Sequence, residues 1–315
     1  MPTTYAIPDG RTVMAATVYT GNSPSSQSIS NAVNGVSFQP DFVWQKSRSQ
    51  TYNHTLYDSV RGTTKELYSN LTSAEVTDTN GLTAFTSSGF TIGSDGELND
   101  PTGTHVAWQW KAGGTAVSNT AGILASQVSA NTTAGFSVCT YTAPASSQAN
   151  SFGHGLGVAP SMVITKNRSS GTGGLGWAVY HSSLGANQVL SLNTTAASAT
   201  VSGYWGSGVT STVVGLPTCA SSTGFDNCTG NMVAYCFAAV AGYSAFGSYT
   251  GNGSADGPFV YLGFRPRWIM VKNTTNSAGA TNWVMQDSSR NGFNPNKTLY
   301  ANAASAEDSS AYFDI

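Results

Sequence analysis

The chain has 315 residues and a formal net charge of −2; 9% of its residues are charged and 40% hydrophobic. That balance excludes the basic surface a nucleic-acid partner requires, and no apolar run approaches the ~20 residues of a membrane-spanning helix, so membrane insertion is not expected. Aromatic residues at 11%, with 7 Trp, exclude disorder, which goes with low hydrophobicity and high net charge.

Residues 1–11 read as an N-terminal arm. They lack a charged stretch followed by an apolar one, so no secretory leader is expected. From residue 12 onward the chain repeats a β-rich unit of about 110 residues three times. Module 1 covers 12–114, a Ser/Thr/Asn/Ala linker covers 115–133, and module 2 covers 134–242. Module 3 covers 243–315 and is incomplete.

The repeat is clearest at a proline followed by an apolar run ending in lysine. Module 1 has Pro40, Phe42, Val43, Trp44 and Lys46. Module 2 has Pro160, Met162, Val163, Ile164 and Lys166. Module 3 has Pro266, Trp268, Ile269, Met270 and Lys272. Proline is tolerated where a strand begins, because no ladder hydrogen bond is lost. Behind it Phe42/Trp44, Met162/Ile164 and Trp268/Met270 alternate onto one face, which predicts a buried strand face.

Other positions keep the same step. Tyr19, Tyr141 and Tyr249 align upstream. Downstream, His54 stands where modules 2 and 3 have Trp177 and Trp283. Asp58, His181 and Asp287 then align, followed by Leu67, Leu190 and Leu299. Asp58 and Asp287 are expected to make a strand-end turn or a local pair with Arg61 and Arg290. Modules 1 and 2 close with Val106–Trp110 and Val233–Phe237, and module 3 has no counterpart within 315 residues. Its sheet is therefore expected to carry an open edge, which a longer natural chain, a strand from a neighbour or a symmetric assembly would cover, and these 315 residues are not expected to work as a free monomer.

Short alternating runs bounded by Gly and Asn, with no amphipathic helix, predict an all-β fold of tandem β-sandwich, jelly-roll-like modules. A closed barrel is the alternative. Modules 1 and 2 are expected to superpose as independent units.

The sequence contains no nucleophile elbow, P-loop, zinc-protease helix motif or dinucleotide fingerprint, so no catalytic residue and no cofactor are assigned. The four histidines have no constant partner. The four cysteines miss zinc spacing and are expected to be reduced; Cys139 and Cys236 read as buried thiols, and Cys219 and Cys228 flank a loop they could close. The acidic segment Ser94–Asp100 offers oxygens for Ca²⁺ but lacks the full EF-hand spacing, which favours a turn and no metal site. Tyr204 and Trp205, in a Gly/Ser loop, are the candidate ligand-binding residues, with faces suited to stacking on sugar rings. The alternative is that they cap the core of module 2.

The chain resembles a family of repeat proteins of tailed, often marine, bacteriophages, described as tail-fibre-like or virion structural proteins. The resemblance lies in Tyr5–Ala16, Pro40–Trp44, Trp108–Gly114, Gly153–Pro160 and Gly247–Ser254. It implies a non-enzymatic protein of the virion surface, a tail fibre or decoration. Such a protein would present β modules to a host-surface glycan beside other virion proteins, as a homo-oligomer for which the resemblance favours a trimer. A carbohydrate-active enzyme (depolymerase or glycosidase) and a purely structural spacer are the alternative readings.

Overall fold

The computed structural model describes residues 5–144, 150–169, 176–218, 229–275, 281–291, 296–310 and 312. The fold is all-β, with several antiparallel sheets and, among the described residues, two α-helices of four residues each and a 3-10 turn at Gly10–Thr12. Module 1 contains β1 (Met14–Thr20), β2 (Gln27–Ser30), β3 (Phe42–Ser47), β4 (Thr55–Asp58), β5 (Lys65–Tyr68), β6 (Val76–Thr77), β7 (Leu82–Thr86) and β8 (Gly89–Ile92). The short helix α1 (Gly96–Asn99) and the closing strand β9 (Thr104–Trp110) complete it. Its large sheet has the order β1-β9-β3-β4-β5-β6, and a small sheet, β2-β8-β7, lies over one face. The sandwich expected of this module is therefore present.

Residues 115–133, expected as a linker, instead hold β10 (Val117–Asn119) and β11 (Ser126–Asn131). They pair onto module 2 and lengthen its sheet. Module 2 continues with β12 (Phe136–Ala143), β13 (Asn150–Gly153), β14 (Met162–Asn167), β15 (Ala178–His181), β16 (Gln188–Ser191), β17 (Ala199–Thr200), β18 (Val213–Leu216) and β19 (Gly230–Phe237). The closing strands occupy equivalent places: β9 lies between β1 and β3, and β19 between β12 and β14. The register repeats as well, with Trp44 opposite Trp108 and Ile164 opposite Tyr235. Module 3 contributes β20 (Trp268–Val271), β21 (Val284–Asp287), the helix α2 (Ser288–Asn291) and β22 (Leu299–Tyr300).

Strands β3 and β14 are buried at every residue, on both faces. A strand buried on both faces needs a layer on each side. In module 1 the outer layer comes from Ile29, Leu82, Phe90, Ile92 and Leu98, packed on Val43 and Tyr57. In module 2 it comes from Phe152, Val214, Leu216, Tyr204 and Trp205. The inner layer is shared. Phe42, Trp44, Trp108 and Trp110 of module 1 meet Phe136, Ile164, Tyr235 and Phe237 of module 2 and Trp283, Met285 and Leu299 of module 3 in one core. Phe42 stacks on Tyr235 with ring centroids 4.2 Å apart, and Trp110 meets Trp268 edge-on at 5.3 Å.

The like folds expected at Pro40 and Pro160 are present, but the modules are not separately enclosed. Modules 1 and 2 share a hydrogen-bonding scheme, but the inner face of each is covered only by its neighbours. Of the residues predicted for the buried face, Phe42, Trp44, Met162 and Ile164 are buried, while Trp268 and Met270 are half-buried. The N-terminal arm is tied in too: Ile7 packs with Val13, Ala134, Val240 and Tyr243 at the junction of modules 2 and 3.

Trp44→Ala is expected to cost about 3–5 kcal/mol, the usual range for emptying a large aromatic site. Because the core is shared, denaturant unfolding should remain one transition, and amide protection should fall in β14 and β19 as much as in β3. Loss confined to module 1, measured by hydrogen exchange, would contradict a common core.

Candidate functional site

Each module touches the next through the same few groups, and the contacts close into a ring. The Glu75 amide donates to the Arg168 carbonyl at 2.9 Å, linking module 1 to module 2. The Ser198 amide donates to the Thr274 carbonyl at 3.0 Å, linking module 2 to module 3. The Glu307 amide donates to the Arg48 carbonyl at 2.7 Å, returning to module 1. Two indole hydrogen bonds run the opposite way. Trp177 Nε1 donates to the Tyr68 carbonyl, and Trp283 Nε1 to the Ser191 carbonyl, each at 2.8 Å. His54 takes the third place, beside the Tyr300 carbonyl. Its Nδ1 accepts from Trp44 Nε1 at 3.0 Å, which leaves the ring proton on Nε2. Burial first of all, then the Lys46 charge, holds the His54 pKa well below its ordinary value, so this imidazole is neutral. His54 is therefore a packing variant of the tryptophan, as its alignment predicts.

Two of the three junctions carry a buried ion-pair cluster built to one plan. Asp58 ends β4 and accepts the amides of Val60 and Arg61 on Oδ1. Its Oδ2 accepts from Arg61 Nε at 2.5 Å and from the Tyr235 hydroxyl of module 2 at 2.9 Å. Arg61 reaches on to Glu75 at 3.0 Å, and Glu75 is held by a two-pronged contact from Arg168 of module 2 at 2.7 and 2.8 Å. The second cluster repeats this at the end of β21. Arg290 Nε meets Asp287 at 2.6 Å, Trp108 Nε1 of module 1 replaces the tyrosine at 2.9 Å, and Arg48 grips Glu307 at 3.0 and 3.1 Å. Arg61, Asp58, Arg290 and Asp287 have fully buried side chains. Burial by itself would lower the Arg61 pKa, but Asp58, Tyr235 and Glu75 more than reverse this and hold it above the usual arginine value. Burial likewise opposes ionisation of Glu75, and the two arginines overcome it, leaving its carboxyl below the usual range. At the third junction His181 replaces the aspartate and Ser198 the glutamate, so no such cluster forms there.

The strand-end pairs of Asp58 with Arg61 and Asp287 with Arg290 match their reading from the sequence. The cross-module members Glu75, Arg168, Glu307 and Arg48 were not singled out. A signal for two of them existed, since Arg48 and Arg168 each stand two residues after the repeated lysine.

Tyr204 and Trp205 do not form a stacking platform. They are 1% and 0% exposed. Trp205 donates its Nε1 to the Gln188 carbonyl at 2.9 Å, and its ring packs against Tyr180 and Tyr204. Burial in the outer core of module 2 removes the faces a sugar ring would need, so the core-capping alternative is correct. The acidic segment is a turn: Asp95 caps α1 by accepting the Glu97 and Leu98 amides, and Asp100 accepts from Thr102. Among the described residues no three His, Cys, Asp or Glu side chains converge as a metal site. Cys139 and Cys236 are free and buried, while Cys219 and Cys228 lie outside the described residues.

A surface cleft of about 340 Å³ runs along β1, lined by Ala15–Val18, Ser30–Val33, Arg267 and Ser289. Arg267 and Ser289 reach across it from module 3 to the Ala16 carbonyl, at 3.4 and 2.7 Å. The cleft is thus another junction between modules.

These features define an all-β protein in which three repeated sheets share one core and are locked by cyclic polar contacts. The chain belongs to the family of the domain of unknown function DUF7483, which matches residues 10–315. No curated protein and no solved structure matches it.

Arg61→Gln would leave Asp58 buried and short of its counter-charge, so a loss of about 3–5 kcal/mol is expected in denaturant titration. Tyr235→Phe removes one hydroxyl donor and should cost only about 1 kcal/mol. Equal costs would mean that Arg61 is not the centre of the cluster.

A pH dependence follows from Glu66, which is buried and accepts the hydroxyls of Tyr57 and Tyr68 at 2.8 and 2.9 Å. Burial pushes its carboxyl up to about 7, and the two hydroxyls oppose this only in part. An unfolded glutamate titrates near ~4.3. Between these values the folded state holds the proton more tightly, so this group lowers stability as pH rises through that window. Glu66→Gln should remove a slope on the order of 1–3 kcal/mol between about pH 4.5 and 7. Urea titrations of both proteins across that range check it, and an unchanged slope would refute it.

Proposed function

We propose that this chain is a non-enzymatic structural protein of a phage virion surface, of the tail-fibre or decoration kind, working beside other virion proteins. The observation that carries this reading is the fused core: three copies of one sheet bury their inner faces against each other and are bonded in a ring. Repetition of one unit, with its buried charges used at the junctions, suits a rigid scaffold that holds its outer loops in fixed relation. The resemblance to tailed-phage repeat proteins supports the same assignment.

Within that reading, the spacer role gains over glycan presentation, because the candidate stacking pair Tyr204 and Trp205 is enclosed. A carbohydrate-active enzyme gains no support from the aligned acids, since Asp58 and Asp287 are each tied to an arginine. The trimer implied by the resemblance belongs to this proposal as well, and light scattering on the purified chain tests it.

The deciding experiment is location. Peptide mass spectrometry and antibody labelling of purified particles, from a phage whose genome carries this sequence, should find the protein on the particle exterior in a fixed copy number. Its presence in infected cells but not in particles would overturn the proposal.

A further inference from the structure

Asparagine followed by glycine is the sequence in which a side-chain amide is most open to the next backbone nitrogen, because glycine has no Cβ to hinder the approach. Among the described residues the pair occurs at Asn34–Gly35, Asn80–Gly81 and Asn252–Gly253. The local chemistry is the same in all three, and the fold treats each differently. Asn34 and Gly35 form the two-residue turn between Val33 and Val36, whose amides donate to each other's carbonyls at 2.9 and 3.1 Å. Both turn residues sit in the left-handed region, at φ 52° and 78°, and the paired ends hold them there. At Asn80–Gly81 the attacking nitrogen is already engaged. The Gly81 amide donates to the Asp78 carbonyl at 3.3 Å, and the backbone is packed so closely that an added Cβ would collide with the Tyr57 hydroxyl.

Asn252–Gly253 differs on each count. Asn252, Gly253 and Ser254 are exposed and lie outside any strand. Gly253 has a φ of +70°, with no atom within 4 Å of the place a Cβ would take, and its N–H donates to no described residue. The Ser254 amide donates to Asn252 Oδ1 at 3.0 Å, an Asx turn that folds the side-chain amide back over the main chain. The turn brings Asn252 Cγ toward the Gly253 nitrogen. It also places the Ser254 N–H on the oxygen that gains negative charge as a bond to Cγ forms. Asn119, Asn167 and Asn273 make the same kind of turn. They are followed by Thr120, Arg168 and Thr274, whose side chains hinder closure.

We infer that Asn252 is a modification site, at which the folded chain deamidates itself through a cyclic imide. The Gly253 nitrogen bonds to Asn252 Cγ and the Cγ–Nδ2 bond breaks. Ammonia leaves with the proton that the Gly253 nitrogen gives up, and nothing is oxidised or reduced. Water then opens the imide at either of its two carbonyl carbons. Addition at Cγ restores the main chain with aspartate at position 252. Addition at the main-chain carbonyl carbon of residue 252 leaves isoaspartate, with the chain routed through the former side chain. Either product adds a carboxylate, and so one negative charge, to the exposed segment around Gly253. The site is set by the turn and by exposure, since the dipeptide itself recurs where the fold protects it.

The test incubates the purified 315-residue chain in mildly alkaline buffer, folded in one arm and unfolded in guanidinium chloride in the other. Peptide mapping by mass spectrometry follows the change from amide to acid at the three pairs, and enzymatic methylation measures isoaspartate. In the folded chain Asn252 should convert at least about tenfold faster than Asn34 and Asn80, and in the unfolded chain the three rates should fall within about threefold of one another. Isoaspartate should appear at position 252 in both arms. Gly253→Ala, whose Cβ enters open space, should slow conversion of Asn252 about tenfold or more. A folded chain in which Asn34 or Asn80 converts as fast as Asn252 would overturn the inference. So would an Asn252 that stays intact in the folded chain while it converts in the unfolded one. Aspartate at 252 without isoaspartate would overturn the cyclic route, since it marks direct hydrolysis of the side-chain amide.

Discussion

Two-sided burial is the constraint on which this structure depends. A strand such as β3, apolar on both faces, cannot stop at a two-layer sandwich, because one layer covers one face. The small sheet covers the outward side. The inward side is left with Phe42, Trp44, Trp108 and Trp110, a surface too large and too apolar to face water. Three copies of that surface, turned toward each other, cover one another. The tandem repeat is thus a way of assembling three walls around a core that no single module could enclose.

The polar contacts follow from the same arrangement. Where the sheets meet, the ends of β4 and β21 come against the closing strand of a neighbour, and charged groups there are withdrawn from water. Burying a charge is costly unless it is paired and hydrogen-bonded. At the Asp58 and Asp287 junctions the cost is met by an arginine, a second carboxylate, a second arginine and an indole or phenol donor from the next module. At the His181 junction no such cluster forms among the described residues, and Lys272 donates to the Thr195 carbonyl instead. These clusters contribute geometry more than net stability: each donor angle fixes how one sheet lies against the next.

Much of the architecture was legible in the one-dimensional pattern. The alternation behind Pro40, Pro160 and Pro266, the aligned leucines at 67, 190 and 299, and the short Gly- and Asn-bounded runs carry the all-β class and the three-fold repetition. They do so because strand side chains alternate faces with a period of two, a local property. The replacement of tryptophan by His54 was legible for the same reason: position within a repeat predicts environment. The candidate site was not legible in this way. An aromatic pair in a Gly/Ser loop has the same local sequence whether it faces solvent or folds over a core, and only the outer layer of module 2 decides that Tyr204 and Trp205 turn inward.

Residues 115–133 show the same limit, since a Ser/Thr/Asn-rich stretch reads as a linker until a sheet edge is available to order it as β10 and β11. What the sequence by itself determined is the repeated strand pattern, the low charge and the strand-end position of Asp58 and Asp287, all of them set by neighbours within a few residues or by comparison between copies. What only the tertiary structure decided is that the modules share a core, that Arg48 and Arg168 cross to the glutamates of a neighbouring module, and that Tyr204 and Trp205 are enclosed. Each of these depends on how whole sheets lie against one another, and side-chain packing between sheets distant in the chain leaves no periodic mark on the sequence.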